Sequence, residues 1–403
     1  MNHKITSVPV RLGSTHVGNL LIFEGRTQLV FDDAYWSNPS RPILGLHFED
    51  KRDNSAAWQV GLPTWFENIL PEGELRHLVA KAADVDARAS VKILKALGPD
   101  LPGAIQLGVP FDVDPGNTRL LADVSSPHSL VPWNYSLAGQ FLKLSTQNIQ
   151  GRITVPAFGE IGNCILKLPS STFPLLPINE YYMMLVALKT GLDVPEFFKF
   201  HRDDLPEEIT KRLWSSSEEV GYGVARFDRD ENGTRIHMED FAQILNKRPA
   251  DKYRSNFETV GNLVITLTGQ QSFLEFVRRL TYNILIGNGD AHLKNWSMVY
   301  RDGRTPELSP VYDLVCDGVY CKSHNHDLGM PLGGMVHFPL ISRSTLKNLG
   351  IRLGQNTSEI LDTVDDTCSK FKSAWDEVSP EIPSKLRDFV SFHSSAALGR
   401  LTA

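Results

Sequence analysis

The segment "FLEFVRRLTYNILIGNGDAHLKNWSMVY", residues 273–300, limits most tightly what this chain can fold into. Phe273, Phe276, Val277, Leu280, Ile284 and Leu285 fall on one face at helical spacing, which predicts a helix laid against a core. The helix ends at Gly287, a residue suited to a helix C-terminus. Directly after it come Asn288, Asp290, His292, Lys294 and Asn295. An acid, an imidazole, an ammonium and two amides thus leave the end of a buried helix together. Such a loop serves as a polar turn, a metal site or the centre of a reaction, and its surroundings decide between them.

Asp290 can accept a proton from an incoming hydroxyl, and Asn295, five residues on, offers an amide oxygen to a cation. Mg2+ prefers oxygen ligands and usually takes only one or two protein carboxylates. Eighteen positions after Asn295 comes Asp313. "WSMVY" reads as a strand, "RDGR" as a turn and "ELSPVYDLV" as the return, a hairpin that would bring Asp313 back beside Asn295. One acid as base, with an Asn and a second Asp on metal, is the minimum set for phosphoryl transfer in protein kinases. The kinase motif H-R-D-x-x-x-x-N has the same Asp-to-Asn spacing. Asp-x-x-x-x-Asn alone is common and reads equally as a capped turn. The helix before it, the hairpin after it and the second Asp favour the reaction centre.

Such a site also needs a lysine for the α- and β-phosphates. Lys167 lies in "GNCILKLP", residues 162–169, which reads as a short buried strand. An ammonium there needs a partner or a ligand, unless it points to solvent from an edge strand. Glu180 opens the next helix, "NEYYMMLVALKTGL" at 179–192. It either pairs with Lys167 or simply favours the helix N-terminus. Ser136 and Gly139, in "YSLAGQFLK" at 135–143, would supply a turn over the phosphates.

The rest of the chain fits around these motifs. "SVPVRLGSTHVGNLLIFEG" alternates apolar and polar residues with glycines at the turns, as strands do. Residues from about 65 to 97 are helical in pattern, interrupted at Pro71 and Gly73. Residues 110–132, rich in Pro, Asp and Ser, mark a boundary. From about 251 onward the pattern is mainly helical, and 355–403 reads as packed helices. With 403 residues, 41% of them hydrophobic, the chain is long enough for two or three packed units. A net charge of −6 argues against direct, charge-driven binding to DNA or membranes. The N-terminus lacks the apolar core of a signal peptide, and no run approaches the ~18 apolar residues of a membrane helix. Four cysteines make no disulfide framework in a chain this long. A soluble cytoplasmic protein is expected.

Two further stretches invite a metal. "DRDENGTRIHME" (228–239) fits the calcium-loop pattern, but the upstream "GYGVARF" reads as a strand where a helix is required, and Asn232-Gly233 is a standard hairpin turn. A strand–turn–strand is the expectation. Cys316, Cys321, His324 and His326 could bind zinc, at a spacing unlike the common structural patterns. Two spare cysteines and two exposed histidines beside the site are the plainer reading. The Met183-Met184 pair reads as core packing.

"NGDAHLKNWS" followed by "LSPVYDLV" resembles the signature of HipA-type serine/threonine kinases, the toxins of HipA–HipB toxin–antitoxin modules. "FENILPEGELR", "NEYYMMLVALKTGLDVPE" and "VARFDR" resemble that family's segments in the same order, so the resemblance covers most of the chain. It implies an α+β fold of the two-lobed, protein-kinase-like kind, with an extra strand-rich N-terminal subdomain at 1–120, an N-lobe at 121–250 and a helical C-lobe at 251–403 carrying the catalytic loop. It also implies ATP, Mg2+ and transfer to a protein hydroxyl. Asp290 would be the catalytic base, Asn295 and Asp313 metal ligands, and Lys167 the phosphate lysine, with His292 near the phosphates or substrate. The backbone at Arg226 and Phe227 would meet adenine, and Ser136 matches the family's autophosphorylated serine. Family substrates include aminoacyl-tRNA synthetases. The family partner is a small helix-turn-helix antitoxin, through which an acidic kinase reaches DNA.

One departure stands out. The family pattern S-[IL]-[SA]-G-x-Q-x-K is met by "SLAGQFLK", in which Gln140 comes one place early and Phe141 takes the Gln position. This leaves both the loop's grip on phosphate and the modification of Ser136 open. A catalytically silent, nucleotide-binding partner of a repressor is the main alternative, and the presence of Asp290, Asn295, Asp313 and Lys167 argues against it. Small-molecule phosphotransferases also use an Asp-to-Asn loop, but the N-terminal subdomain and flanking motifs argue against that class.

Overall fold

Alternation of apolar and polar residues near the N-terminus produces a sheet with one buried face. The structure is a computed structural model that describes residues 5–49, 57–97, 100–108, 143–149, 151–154, 161–321 and 326–403. Ser136, Gly139, His324 and the expected boundary at 110–132 lie outside the described residues. The chain forms two compact units, one of 1–167, 225–249 and 299–305, the other of 168–224, 250–298 and 306–403. In the first, the strands run in the order Gln59–Val60, Arg26–Phe31, Thr15–Phe23, Thr6–Leu12 and Ile105–Leu107. Val10, Val17, Leu20 and Leu29 fill its buried face. A Cβ at Gly18 would sit 2.1 Å from the Val30 carbonyl oxygen, so only glycine lets the neighbouring strand approach. The helical stretch is three short helices, Thr64–Glu67, Gly73–Ala82 and Ser90–Leu97, parted around Pro71 and at Asp84, which like Gly73 has a positive φ.

The second unit is mainly helical. The helix Gln270–Ile286 carries Phe273, Phe276, Val277, Leu280, Ile284 and Leu285 fully buried, as the spacing predicts. Each such side chain contributes roughly 1.5–3 kcal/mol over an exposed one. The helix packs on Phe257–Thr268, Thr357–Val378 and Ser384–Thr402. The helix Leu176–Thr190 ends in Gly191 at φ 88°, its Met183 and Met184 lie in the core, and the Met183 carbonyl accepts the Tyr282 hydroxyl at 2.5 Å. Strands Phe197–His201 and Val220–Ala225 pair antiparallel. Among the described residues no helix is long and apolar enough to cross a membrane.

A buried charge network organises the first unit. Arg226 bonds Asp100 at 2.8 Å and Asp228 at 2.8 Å, and Arg229 bonds the same two carboxylates at 3.0 Å each. Ser145 Oγ and the Gly103 N–H complete the carboxylates' shells. Burial alone would raise both carboxyl pKa values, but the arginines hold them below the usual range. The positions that match the calcium-loop pattern are thereby spent: Asp228 is in this network, Asp230 Oδ1 accepts the N–H groups of Asn232 and Thr234, and Glu239 accepts from Leu46 N–H, Trp65 Nε1–H and the Tyr300 hydroxyl. The segment is the expected turn, with an isolated bridge between Arg229 and Arg235 before the strand His237–Asp240. Removing one partner of a buried ion pair costs about 3–5 kcal/mol. Arg226→Met should therefore lower unfolding stability by that order in urea titration, and a loss under about 1 kcal/mol would refute the network's role.

Candidate active site

The polar loop is aimed by the end of its helix. Gly287 caps the helix at φ 66°, a left-handed conformation that glycine adopts without strain. Asn288, fully buried, then donates its backbone N–H to the Asn283 carbonyl (2.9 Å) and its side-chain N–H to Asn283 Oδ1 (2.7 Å). Its own Oδ1 accepts the Asp290 N–H at 3.0 Å. The Gly289 N–H donates to Asp317 Oδ1 (2.6 Å), which His326 Nε2 also meets at 3.0 Å. A Cβ at Gly289 would lie 2.5 Å from the Asp327 carbonyl oxygen, so the loop passes a neighbouring strand too closely for any side chain there.

Asp290 emerges from this frame with its side chain 37% exposed. Its Oδ1 accepts the Tyr253 hydroxyl and lies 3.9 Å from His292 Nε2. Burial raises its carboxyl above the usual range, against the lowering effects of the Tyr253 hydrogen bond and the Lys252 charge. His292 is buried, and burial with the Lys252 and Lys294 charges pushes its pKa down to about 3, so the ring is neutral at physiological pH. Its Nδ1 has no hydrogen-bond partner among the described residues. The Asn295 side chain donates to the Asp290 carbonyl at 2.8 Å, which leaves Oδ1 as its open acceptor.

The hairpin returns as the sequence suggests. The Ser309 N–H donates to the Ser297 carbonyl at 3.0 Å, and the Tyr312 hydroxyl, bonded to Ser297 Oγ, also donates to the Lys294 carbonyl at 2.9 Å. Asp313 and Asn295 consequently line one small recess together with Asn283 and Asn288. Asp313 holds φ at +54°, a strained value for a non-glycine residue costing about 1–3 kcal/mol. Glu180 is buried on the helix Leu176–Thr190; burial raises the Tyr222 phenol, and the charges of Glu180 and Asp313 add to that rise.

Lys167 belongs to the first unit, buried on the strand Cys164–Lys167 directly opposite Lys143, itself buried. The Arg226 side chain is committed to its ion network, and its N–H donates to the Asn163 carbonyl at 2.9 Å. Cys316 is buried beside Asn179, Cys321 is exposed, and His326 pairs with Asp317. Among the described residues no group of three or more His, Cys, Asp or Glu side chains is placed to hold a metal ion. Tyr253, Asp317 and Tyr312 were not picked out by motif. Tyr253 comes from an ordinary-looking turn, and Tyr312 and Asp317 sit inside stretches singled out for other residues; each meets the loop through tertiary folding.

Fold and site together define a kinase-like α+β protein. Residues 135–375 match the HipA-like C-terminal domain and residues 8–108 the HipA N-terminal domain. The chain therefore belongs to the HipA family. It is 32% identical over 407 residues, 97% of each chain, to a Sinorhizobium fredii protein named "Putative kinase Y4dM". It is 22% identical over 284 residues, 63% of this chain and 62% of the other, to the serine/threonine-protein kinase toxin HipA of Shewanella oneidensis. Its fold matches a chain in the Shewanella oneidensis HipA, HipB and operator DNA complex with a TM-score of 0.72 at 19% identity, over 98% of this chain and 96% of that one.

Loss of the Asn288 amide would strand the Asn283 amide and free the Asp290 backbone, each a buried group left unmatched. Asn288→Ala should cost about 1–3 kcal/mol in thermal or urea unfolding. An unchanged midpoint would show that the asparagine pair does not hold the loop.

Proposed function

We propose that this protein is an ATP- and Mg2+-dependent serine/threonine protein kinase. The observation that carries this reading is the shared recess of Asn295 and Asp313, with the Asn295 amide bonded to the backbone of Asp290, whose carboxylate is half-exposed. Mg2+ fits the donor set: one amide oxygen with no other partner and one carboxylate, with phosphates and water completing the shell. When bound, it would neutralise charge on the transferring phosphate. Lys167 would hold the α- and β-phosphates, and Glu180 would either serve the nucleotide site or simply favour its own helix N-terminus. The unpartnered Nδ1 of buried His292 is suited to meet a polar group of substrate. The backbone at Arg226 and Phe227 would receive adenine, and Ser136 with Gly139 would cover the phosphates.

In the transfer, the acceptor oxygen bonds to the γ-phosphorus, the bond to the ADP oxygen breaks, and Asp290 takes the hydroxyl proton. A carboxyl with a raised pKa is a stronger base than a free one, which favours this role. The acceptor is read as a protein of the translation machinery, with growth arrest as the consequence. The partner is read as a small helix-turn-helix antitoxin, because the solved relative forms a complex with HipB and operator DNA. With a net charge of −6, contact with DNA would run through such a partner. With such an acceptor and partner, the protein would work in the cytoplasm.

Incubation with labelled ATP, Mg2+ and a cell lysate tests the reading. Wild type should label itself or a lysate protein, and Asp290→Asn should lose at least about a hundredfold of that rate. Equal label from both proteins would end the kinase reading. ATP binding without transfer would favour a silent nucleotide-binding partner of a repressor.

A further inference from the structure

We propose that Tyr253 is a positioning residue on the acceptor side of the site: its hydroxyl occupies the place of the incoming hydroxyl on Asp290 and keeps water off that oxygen until an acceptor displaces it. The inference rests on the reading of Asp290 as the base.

Tyr253 O–H donates to Asp290 Oδ1, the carboxylate oxygen that faces His292. A phenol donating to a carboxylate makes the same contact that a serine or threonine hydroxyl makes with its base before transfer. Both groups are open to solvent, Tyr253 at 41% and the Asp290 side chain at 37%, so a hydroxyl carried on another protein reaches the pair without unfolding the loop. The tyrosine ring stands edge-on to His292, with centroids 5.0 Å apart and planes at 77°. Its segment is tied to the loop it serves, because the carbonyl of the preceding, buried Lys252 accepts the Leu293 N–H at 3.2 Å. Tyrosine and base therefore stay in register, and displacement is a side-chain swing rather than an opening of the backbone.

The chemical consequence concerns water. A water molecule that reaches Asp290 Oδ1 can hand over a proton while its oxygen bonds to the γ-phosphorus and the bond to ADP breaks, giving ADP and inorganic phosphate. With the phenol in place, that oxygen already accepts a hydrogen bond, so a water must displace the phenol to use it, which slows the water route. A protein acceptor differs from water in bringing binding surface of its own, which can offset the loss of one hydrogen bond.

The test uses the full chain with ATP and Mg2+ and no protein acceptor, reading steady-state ADP release for wild type, Tyr253→Phe, Tyr253→Ala, Asp290→Asn and the Tyr253→Phe/Asp290→Asn double variant. Tyr253→Phe should raise the Asp290-dependent rate roughly threefold to tenfold, the equilibrium worth of one hydrogen bond. The KM for ATP and the melting temperature should not move, Tyr253→Ala should release ADP at least as fast, and the double variant should fall to the Asp290→Asn level. A rate for Tyr253→Phe at or below wild type, with wild type above Asp290→Asn, overturns this inference alone. It would make the contact an orienting or idle one. A rise accompanied by a changed KM for ATP also overturns it, since the nucleotide site would then have moved. Equal rates for wild type and Asp290→Asn overturn the base reading and this inference together.

Discussion

The pairing of Asn283 with Asn288 is the interaction on which the candidate site depends. The apolar face of the helix Gln270–Ile286 fixes where the helix lies, but hydrophobic burial is non-directional and cannot aim a loop. The amides supply direction. Asn283 donates to the Arg279 carbonyl one turn back and accepts from Asn288, and Asn288 accepts from the Asp290 N–H. In a buried environment an unmatched amide costs about 1–3 kcal/mol, so a shift that broke one of these bonds would be opposed by the others. The rigid helix is thereby extended, through side chains, to the backbone of Asp290. Asn283 is a poor helix former, and its place in the helix is explained by this task.

Backbone and solvation costs gather in the same small region. Asp313 sits in left-handed conformation, the His292 Nδ1 is buried without a partner among the described residues, and the Asp290 carboxyl is raised by burial. The first two each cost on the order of 1–3 kcal/mol. Such features persist only where surrounding structure over-determines them. Here the supports are the buried apolar face of the helix, the tight crossing at Gly289 and the Tyr312 hydroxyl that ties the hairpin to the loop.

Much of this was legible in the sequence. The helix, its glycine end, the strand "WSMVY" and the return of Asp313 toward Asn295 all follow from local periodicity and turn chemistry. The roles of Asp100, Glu239 and Tyr253 were not legible. Asp100 meets Arg226 across 126 residues, Glu239 meets Trp65 across 174, and Tyr253 meets Asp290 across 37. Nothing in "DKYRSN" distinguishes a tyrosine that will cover a carboxylate from one on any polar turn. The calcium-loop pattern at 228–239 shows the reverse case: the letters agree, but Asp228 and Glu239 are consumed by partners distant in sequence.

The two units handle buried polarity in different ways, and the difference marks where chemistry can occur. In the first, the carboxylates of Asp100 and Asp228 each meet two arginines and a further donor, so those acids have little left to offer a ligand. That arrangement suits a fixed junction. In the second, the loop's structural amides are matched to one another, while Asn295 Oδ1 and His292 Nδ1 remain unspent and the Asp290 carboxylate keeps an open face. Buried polar atoms without a partner among the described residues occur elsewhere too, at Arg229 Nε, His237 Nδ1 and Thr281 Oγ1, but at the loop one of them adjoins an open amide oxygen and a half-exposed carboxylate that a ligand can reach. On this ground, more than on the Asp-to-Asn spacing alone, we propose the loop after Gly287 as the working part of the molecule.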